Sequence, residues 1–188
     1  GRRKARDRGA MHGPGRKDER PMAFDAFTGE QDSRMDSKGR VSIPATFRRV
    51  LDLGNDVDLG PRTHLFLVYG WPDRDWVAGY SAVGYQKLID LIRTFDEGSD
   101  DHLVAKSARV DVDDDGRIVM PPAVRKKLGV TVDDGAADLH FHGSIDNFQL
   151  WKLATYESRA ETLDRMGQGL VKEGKDISSL LRLARSRQ

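Results

Sequence analysis

Asp36-Ser-Lys-Gly-Arg-Val-Ser-Ile-Pro-Ala-Thr-Phe-Arg-Arg-Val-Leu51 is echoed later in the chain by Asp113-Asp-Asp-Gly-Arg-Ile-Val-Met-Pro-Pro-Ala-Val-Arg-Lys-Lys-Leu128. The two stretches align without a gap. Identities fall at Asp36/Asp113, Gly39/Gly116, Arg40/Arg117, Pro44/Pro121, Arg48/Arg125 and Leu51/Leu128, six of sixteen positions. Val41/Ile118, Ile43/Met120, Phe47/Val124 and Arg49/Lys126 keep their chemical character. Self-similarity at a fixed interval marks a repeated architecture. The chain carries one unit twice.

Each copy reads the same way. Val110 and Val112 alternate with Asp111 and Asp113, the period-2 pattern of a half-buried strand. Ser-Lys-Gly and Asp-Asp-Gly supply a tight turn whose glycine is free to take positive φ. A second strand follows, Arg40 to Ile43 or Arg117 to Met120. The next proline leaves a strand ladder but suits the first turn of a helix, over about Ala45 to Leu51 and Pro122 to Leu128. Gly129 is placed to close the second helix. Further strands are expected at Leu65 to Tyr69, Leu139 to His142 and Phe148 to Trp151. Helices then follow, one with the stripe Tyr85, Leu88, Ile89, Ile92 and Phe95, the other over about Tyr156 to Met166. One such unit is too small to bury a core alone. Two in one chain pair about a pseudo-twofold axis, and their turns are expected to project from one face.

With 188 residues, the chain has room for one domain or two small ones. A hydrophobic fraction of 38% beside 32% charged residues implies a modest core and unstructured ends. The absence of cysteine rules out disulfides, Cys-ligated metals and thiol catalysis. No apolar run approaches the roughly 20 residues of a membrane span, and the basic start lacks the apolar region of a secretory signal. The expected compartment is the cytoplasm. A net charge of +1 hides an uneven distribution: residues 1–22 hold eight Lys/Arg against three acids, and residues 171–188 hold five against two. The middle is therefore acidic. The expected divisions are a basic leader at 1–22, units at 23–98 and 99–166, and a tail at 167–188.

At the doubled Asp-x-x-x-Arg signature, Asp36 to Arg40 and Asp113 to Arg117, the sequence resembles the MraZ family. The lead-in Phe27-Thr-Gly-Glu and the strand Phe148-Gln-Leu-Trp151 share the resemblance, which spans about Phe24 to Met166. It implies an α+β fold in which two AbrB-like swapped-hairpin units form one β-barrel core with flanking helices. It also implies a cytoplasmic, nucleoid-associated regulator that binds G-rich direct repeats in double-stranded DNA upstream of the division and cell-wall gene cluster, including its own gene. Members assemble into homo-oligomeric rings, commonly octamers. Repression is the default sign, since bound protein hinders polymerase. Carried over by motif, Lys38, Arg40 and Arg117 are the DNA-reading side chains. The planar fork of arginine suits the O6/N7 edge of guanine. Asp36 and Asp113 are expected to orient the arginines, and Arg48, Arg49, Arg125 and Lys126 on the short helices read first as solvated or structural, with phosphate contact as the alternative. The carboxylates of Asp114 and Asp115 beside Arg117 should leave repeat one dominant.

Other chemistries find less support. Asp111 to Ile118 matches the opening of an EF-hand loop, but Pro122 stands where the bidentate Glu belongs. His140 and His142 share a strand face at metal-ligand spacing, yet the sequence shows no third ligand, so they read as ordinary strand histidines and no metal or cofactor is expected. No nucleophile elbow, P-loop or dinucleotide fingerprint is present, so an enzyme is not expected. The competing class is an AbrB-like protein-interaction or antitoxin-type module, with Ile177, Leu180, Leu181 and Leu183 at helical spacing as its binding element.

Overall fold

The structure is a computed structural model that describes residues 26–94, 104–131, 135–160 and 162, without the side chain of residue 57. The basic leader, the tail and the junction expected near residue 98 lie outside the described residues. Eight strands are present among the described residues: β1 (Glu30–Met35), β2 (Arg40–Ser42), β3 (His64–Val68), β4 (Trp76–Ser81), β5 (Ser107–Asp111), β6 (Arg117–Val119), β7 (Ala137–Ser144) and β8 (Asn147–Lys152). With them come α1 (Ala45–Leu53), α2 (Ala82–Thr94), α3 (Pro122–Lys127) and α4 (153–160). The class is α+β. No helix among the described residues is long and apolar enough to cross a membrane.

The prolines divide each motif as the sequence implies. Pro44 and Pro121 sit at the helix N-caps, where they offer carbonyls to Arg48 N (2.9 Å) and Arg125 N (3.0 Å). Gly129 (φ 65°) ends α3: its N–H donates to the Lys126 carbonyl, and Val130 N–H to the Arg125 carbonyl. That double bond pattern is the Schellman closure. α1 runs two residues further than expected, through Asp52 and Leu53.

Pairing crosses between the repeats. Among the described residues, six strands form one antiparallel sheet in the order β1-β7-β8-β4-β3-β5, and β2 pairs only with β6. Exchanging the two repeats reverses this order without altering it. The first strand of each repeat lies against the third strand of the other, β1 on β7 and β5 on β3. The closed barrel expected from the resemblance is not formed: β1 and β5 remain edges of an open sheet. Its physical cause is the brevity of β2 and β6. Each has three residues, and the prolines that follow cannot extend a ladder.

Every apolar pair of the repeat reaches one core. Val41, Ile118, Ile43, Met120, Phe47, Val124, Leu51 and Leu128 are all buried. Phe47 lies at its centre, stacked on Phe148 (5.4 Å between centroids) and edge-on to Phe27 (5.5 Å). The other sheet face packs α2, where Phe66 stacks on Tyr85 at 4.2 Å.

β4 is the strand the sequence conceals. Trp-Val-Ala-Gly-Tyr-Ser runs into α2 with no intervening turn residue, so it lacks the punctuation that marks a strand end. Gly79 is required there by close approach, because a Cβ would overlap the Phe148 ring. Gly79→Ala is therefore expected to lower unfolding free energy by about 1–3 kcal/mol. Phe148→Leu in the same background should recover part of that loss, a coupling that a double-mutant cycle of denaturant melts will read.

Candidate nucleic-acid interface

The two motif turns are built alike, and the aspartate is their organiser. Asp36 Oδ1 accepts hydrogen bonds from the backbone N–H of Lys38 and of Arg40, both 2.9 Å, and Oδ2 accepts one from Arg40 Nε at 2.7 Å. Asp113 Oδ1 accepts from the N–H of Asp115 (3.0 Å) and Arg117 (2.8 Å), and Oδ2 from Arg117 Nε (3.1 Å). Each turn closes through Gly39 or Gly116, at φ 79° and 75°. A motif needs a short acceptor at its first position, glycine at the fourth and an N–H with a long donor at the fifth. That accounts for three of its identities.

These contacts fix protonation. The Asp36 carboxyl is held below the ordinary aspartate range, chiefly by the Arg40 backbone N–H, with its guanidinium and the Lys38 N–H adding to the effect. Asp113 is lowered likewise by the Arg117 N–H first, then its guanidinium. The Arg117 guanidinium is in turn pushed up, foremost by its hydrogen bond to Asp113.

The ribbon of β2 and β6 brings the arginines onto one face. Arg40 stands opposite Val119 and Ser42 opposite Arg117, while Val41 opposite Ile118 points into the core. Strand alternation thus gives Arg40, Ser42, Arg117 and Val119 the outward side. The turns enter at opposite ends of this ribbon, about 10 Å of strand apart. Reciprocal bonds lock it: Ile43 N–H donates to the Gly116 carbonyl (3.0 Å) and Met120 N–H to the Gly39 carbonyl (2.7 Å).

Each tip differs in charge and freedom. Lys38 is exposed. Arg40 and Arg117 keep 39% and 34% of their side chains accessible while held by their aspartates. Arg117 also pairs with Asp115, so its guanidinium is engaged twice. Tip one carries a net positive charge, whereas tip two sets three carboxylates against one guanidinium.

The helix cations divide into two kinds. Arg48 of α1 lies against Gly116 of the other repeat's turn, and Arg125 of α3 lies against Gly39. The Nε atoms of both are buried without a hydrogen-bond partner among the described residues. They lid the opposite turn, a structural placement that the sequence could not reveal. Arg49 and Lys126 are exposed. Two features escaped sequence reasoning. Val119 is 59% exposed beside the arginines, a signal legible as an apolar residue on the outward phase of a strand. Arg62 joins Arg48, Arg49 and Asp52 around a cleft of about 520 Å³ that ends at Asp113 and Asp114. Only the fold brings it there.

Comparison with known proteins gives this arrangement its relatives. Residues 26–83 match the family model described as "MraZ protein, putative antitoxin-like". A protein of Cereibacter sphaeroides named transcriptional regulator MraZ is 35% identical over 165 residues, 84% of this chain and 96% of that one. Proteins of the same name from Ruegeria sp. and Gluconacetobacter diazotrophicus are 35% and 33% identical, over 70% and 76% of this chain and 80% and 89% of theirs. With the doubled Asp-held arginine turn and identity along nearly the whole length of a relative, the chain belongs to the MraZ family.

Proposed function

We propose that this chain is a non-enzymatic DNA-binding transcriptional regulator, and that it reads DNA with Lys38 and Arg40 of the first turn and Arg117 of the second. The observation that carries this reading is the shared outward face of β2 and β6, where two preorganised arginines stand at either end of one ribbon. A two-stranded ribbon fits the major groove, and arginine reads guanine there. Asp36 and Asp113 act on DNA through the arginines they hold. Val119 adds an apolar contact of the kind a thymine methyl offers. Arg49 and Lys126, exposed on their helices, supply phosphate contacts, and Arg48 and Arg125 support the turns instead. The relatives' name, transcriptional regulator, agrees with this role.

The finer reading is that of two swapped-hairpin units, 23–98 and 99–166, acting as a repressor on G-rich direct repeats before the protein's own division and cell-wall cluster, in the cytoplasm and at the nucleoid. Copies join in a ring, commonly of eight, so that modest contacts sum by effective concentration. A groove of about 490 Å³ bordered by Leu53, Val83, Leu91 and Ile145 supports contact between copies. These four side chains are 48% exposed or more, and Ile145 takes φ 64°, a strained conformation for a β-branched residue. The antitoxin-type alternative rests on the segment around Ile177 to Leu183, outside the described residues.

Three outcomes test the proposal. Arg40→Ala should lower the ratio of specific to nonspecific affinity about tenfold or more on G-rich tandem repeats, measured by fluorescence anisotropy over a salt series, and Arg117→Ala should lower it less. An unchanged ratio in Arg40→Ala removes the assigned reader. Because both motif aspartates are depressed in the folded state, their contribution to stability is complete above the ordinary aspartate pKa and is lost as pH falls through the lowered one. The melting temperatures of wild type and Asp113→Asn should therefore differ by a constant amount from pH 5 to 8, roughly speaking, and converge in stronger acid. Ile145→Asn relieves the positive φ, so it should raise thermal stability of the isolated chain while weakening assembly seen by light scattering.

A further inference from the structure

The sequence shows two histidines without a third ligand, and the strand register supplies one. β1 lies on β7 with Glu30 opposite His142 and Asp32 opposite His140, all four on the sheet face away from the aromatic core. His140 is 5% exposed, covered by Tyr156 of α4 with ring centroids 3.7 Å apart. Its Nδ1 bonds Asp32 Oδ1 at 2.7 Å, which leaves the Nε2 lone pair free. That Nε2 and His142 Nδ1 are both buried without a hydrogen-bond partner among the described residues. Each faces Glu30 Oε2, at 3.6 Å and 3.5 Å, and Tyr156 donates its hydroxyl to the same oxygen at 3.0 Å. One ligand atom from each of Glu30, His140 and His142 lies within 4.8 Å of the others. A tetrahedral ion with bonds of about 2.0–2.2 Å to nitrogen and oxygen sets its donors about 3.3–3.5 Å apart. The observed separations are long for hydrogen bonds and close to those of shared ligation.

The second repeat pair serves as an internal comparison. The register that places Asp32 against His140 and Glu30 against His142 places Arg109 against Phe66 and Ser107 against Val68. There Phe66 stacks on Tyr85, whose hydroxyl bonds Ser107 Oγ at 2.7 Å. The fold thus packs the same place with an apolar ring and a hydroxyl. Two imidazoles and two carboxylates are not needed for packing.

We propose that Glu30, His140 and His142 bind a divalent transition metal of the zinc class, with Asp32 fixing the His140 tautomer from the outer shell. Two imidazoles and one carboxylate suit zinc, cobalt and nickel, and do not suit calcium or magnesium, which take oxygen donors. Three protein ligands leave a fourth position for water. Such an ion ties an edge strand of the first repeat to an inner strand of the second. β1 continues directly into the Asp36 turn, so the metal braces the strand that presents Lys38 and Arg40.

The test is calorimetric titration of the full, untagged chain with zinc chloride, with cobalt(II) absorption as a second readout. One equivalent should bind, give the intense visible bands of four-coordinate cobalt, and raise the melting temperature. Affinity should fall by at least about 100-fold in His142→Ala and about 10–100-fold in Asp32→Asn. Glu30→Gln, on an exposed side chain that can change without loss of fold, should match His142→Ala. His12→Ala and His102→Ala should leave binding unchanged. Absence of saturable binding overturns the proposal, as does binding that survives Glu30→Gln and His142→Ala or disappears with His12 or His102.

Discussion

Each repeat buries its apolar residues only by lending strands to the other, and the remaining architecture depends on that exchange. Val41 and Ile118 meet across the two-fold ribbon, and the first strand of each unit completes the sheet beside the third strand of its twin. A unit by itself would leave Ile43, Phe47 and Leu51, or their counterparts Met120, Val124 and Leu128, facing water. Hydrophobic burial of that kind outweighs any single ion pair on the surface. The turns owe their placement to it, since they are the points where a chain leaves one strand of the shared sheet and enters the ribbon.

On this scaffold the motif aspartate solves a local problem. A four-residue turn leaves backbone N–H groups without partners, and Asp36 or Asp113 satisfies two of them with one oxygen while its other oxygen holds the arginine. The arginine is thereby preorganised with little side-chain entropy left to lose on contact. The cost is competition, because a carboxylate must share that guanidinium with any anionic partner. Tip one meets this with Lys38, and tip two aggravates it with Asp114 and Asp115. Symmetry of backbone is kept while symmetry of charge is abandoned.

Much of this was legible from residue types alone. The doubled motif gave strand, turn, strand and helix in order, because glycine and proline constrain φ locally and the apolar positions follow strand and helix periods. The outward phase of Arg40 and Arg117 needed the register of β2 on β6. What stayed hidden was what only long-range pairing creates. β4 has no punctuation before α2, and the need for Gly79 is visible only once Phe148 lies over it. Arg48 and Arg125 look like solvated helix cations until the exchange of strands sets them over each other's turns. Glu30 is over a hundred residues from His140 in the chain, and register alone joins them. The open sheet, in place of a barrel, reflects how little ladder three residues before a proline can make.

The crossed lids have a consequence for how such a protein can change. Arg48, written in the first copy, shapes the second tip, and Arg125, written in the second, shapes the first. Neither tip is wholly encoded by its own copy. A substitution in either helix therefore acts on the turn of the other copy. At the tips the two copies differ most plainly in charge, Lys38 of the first standing at the place of Asp115 in the second, both exposed.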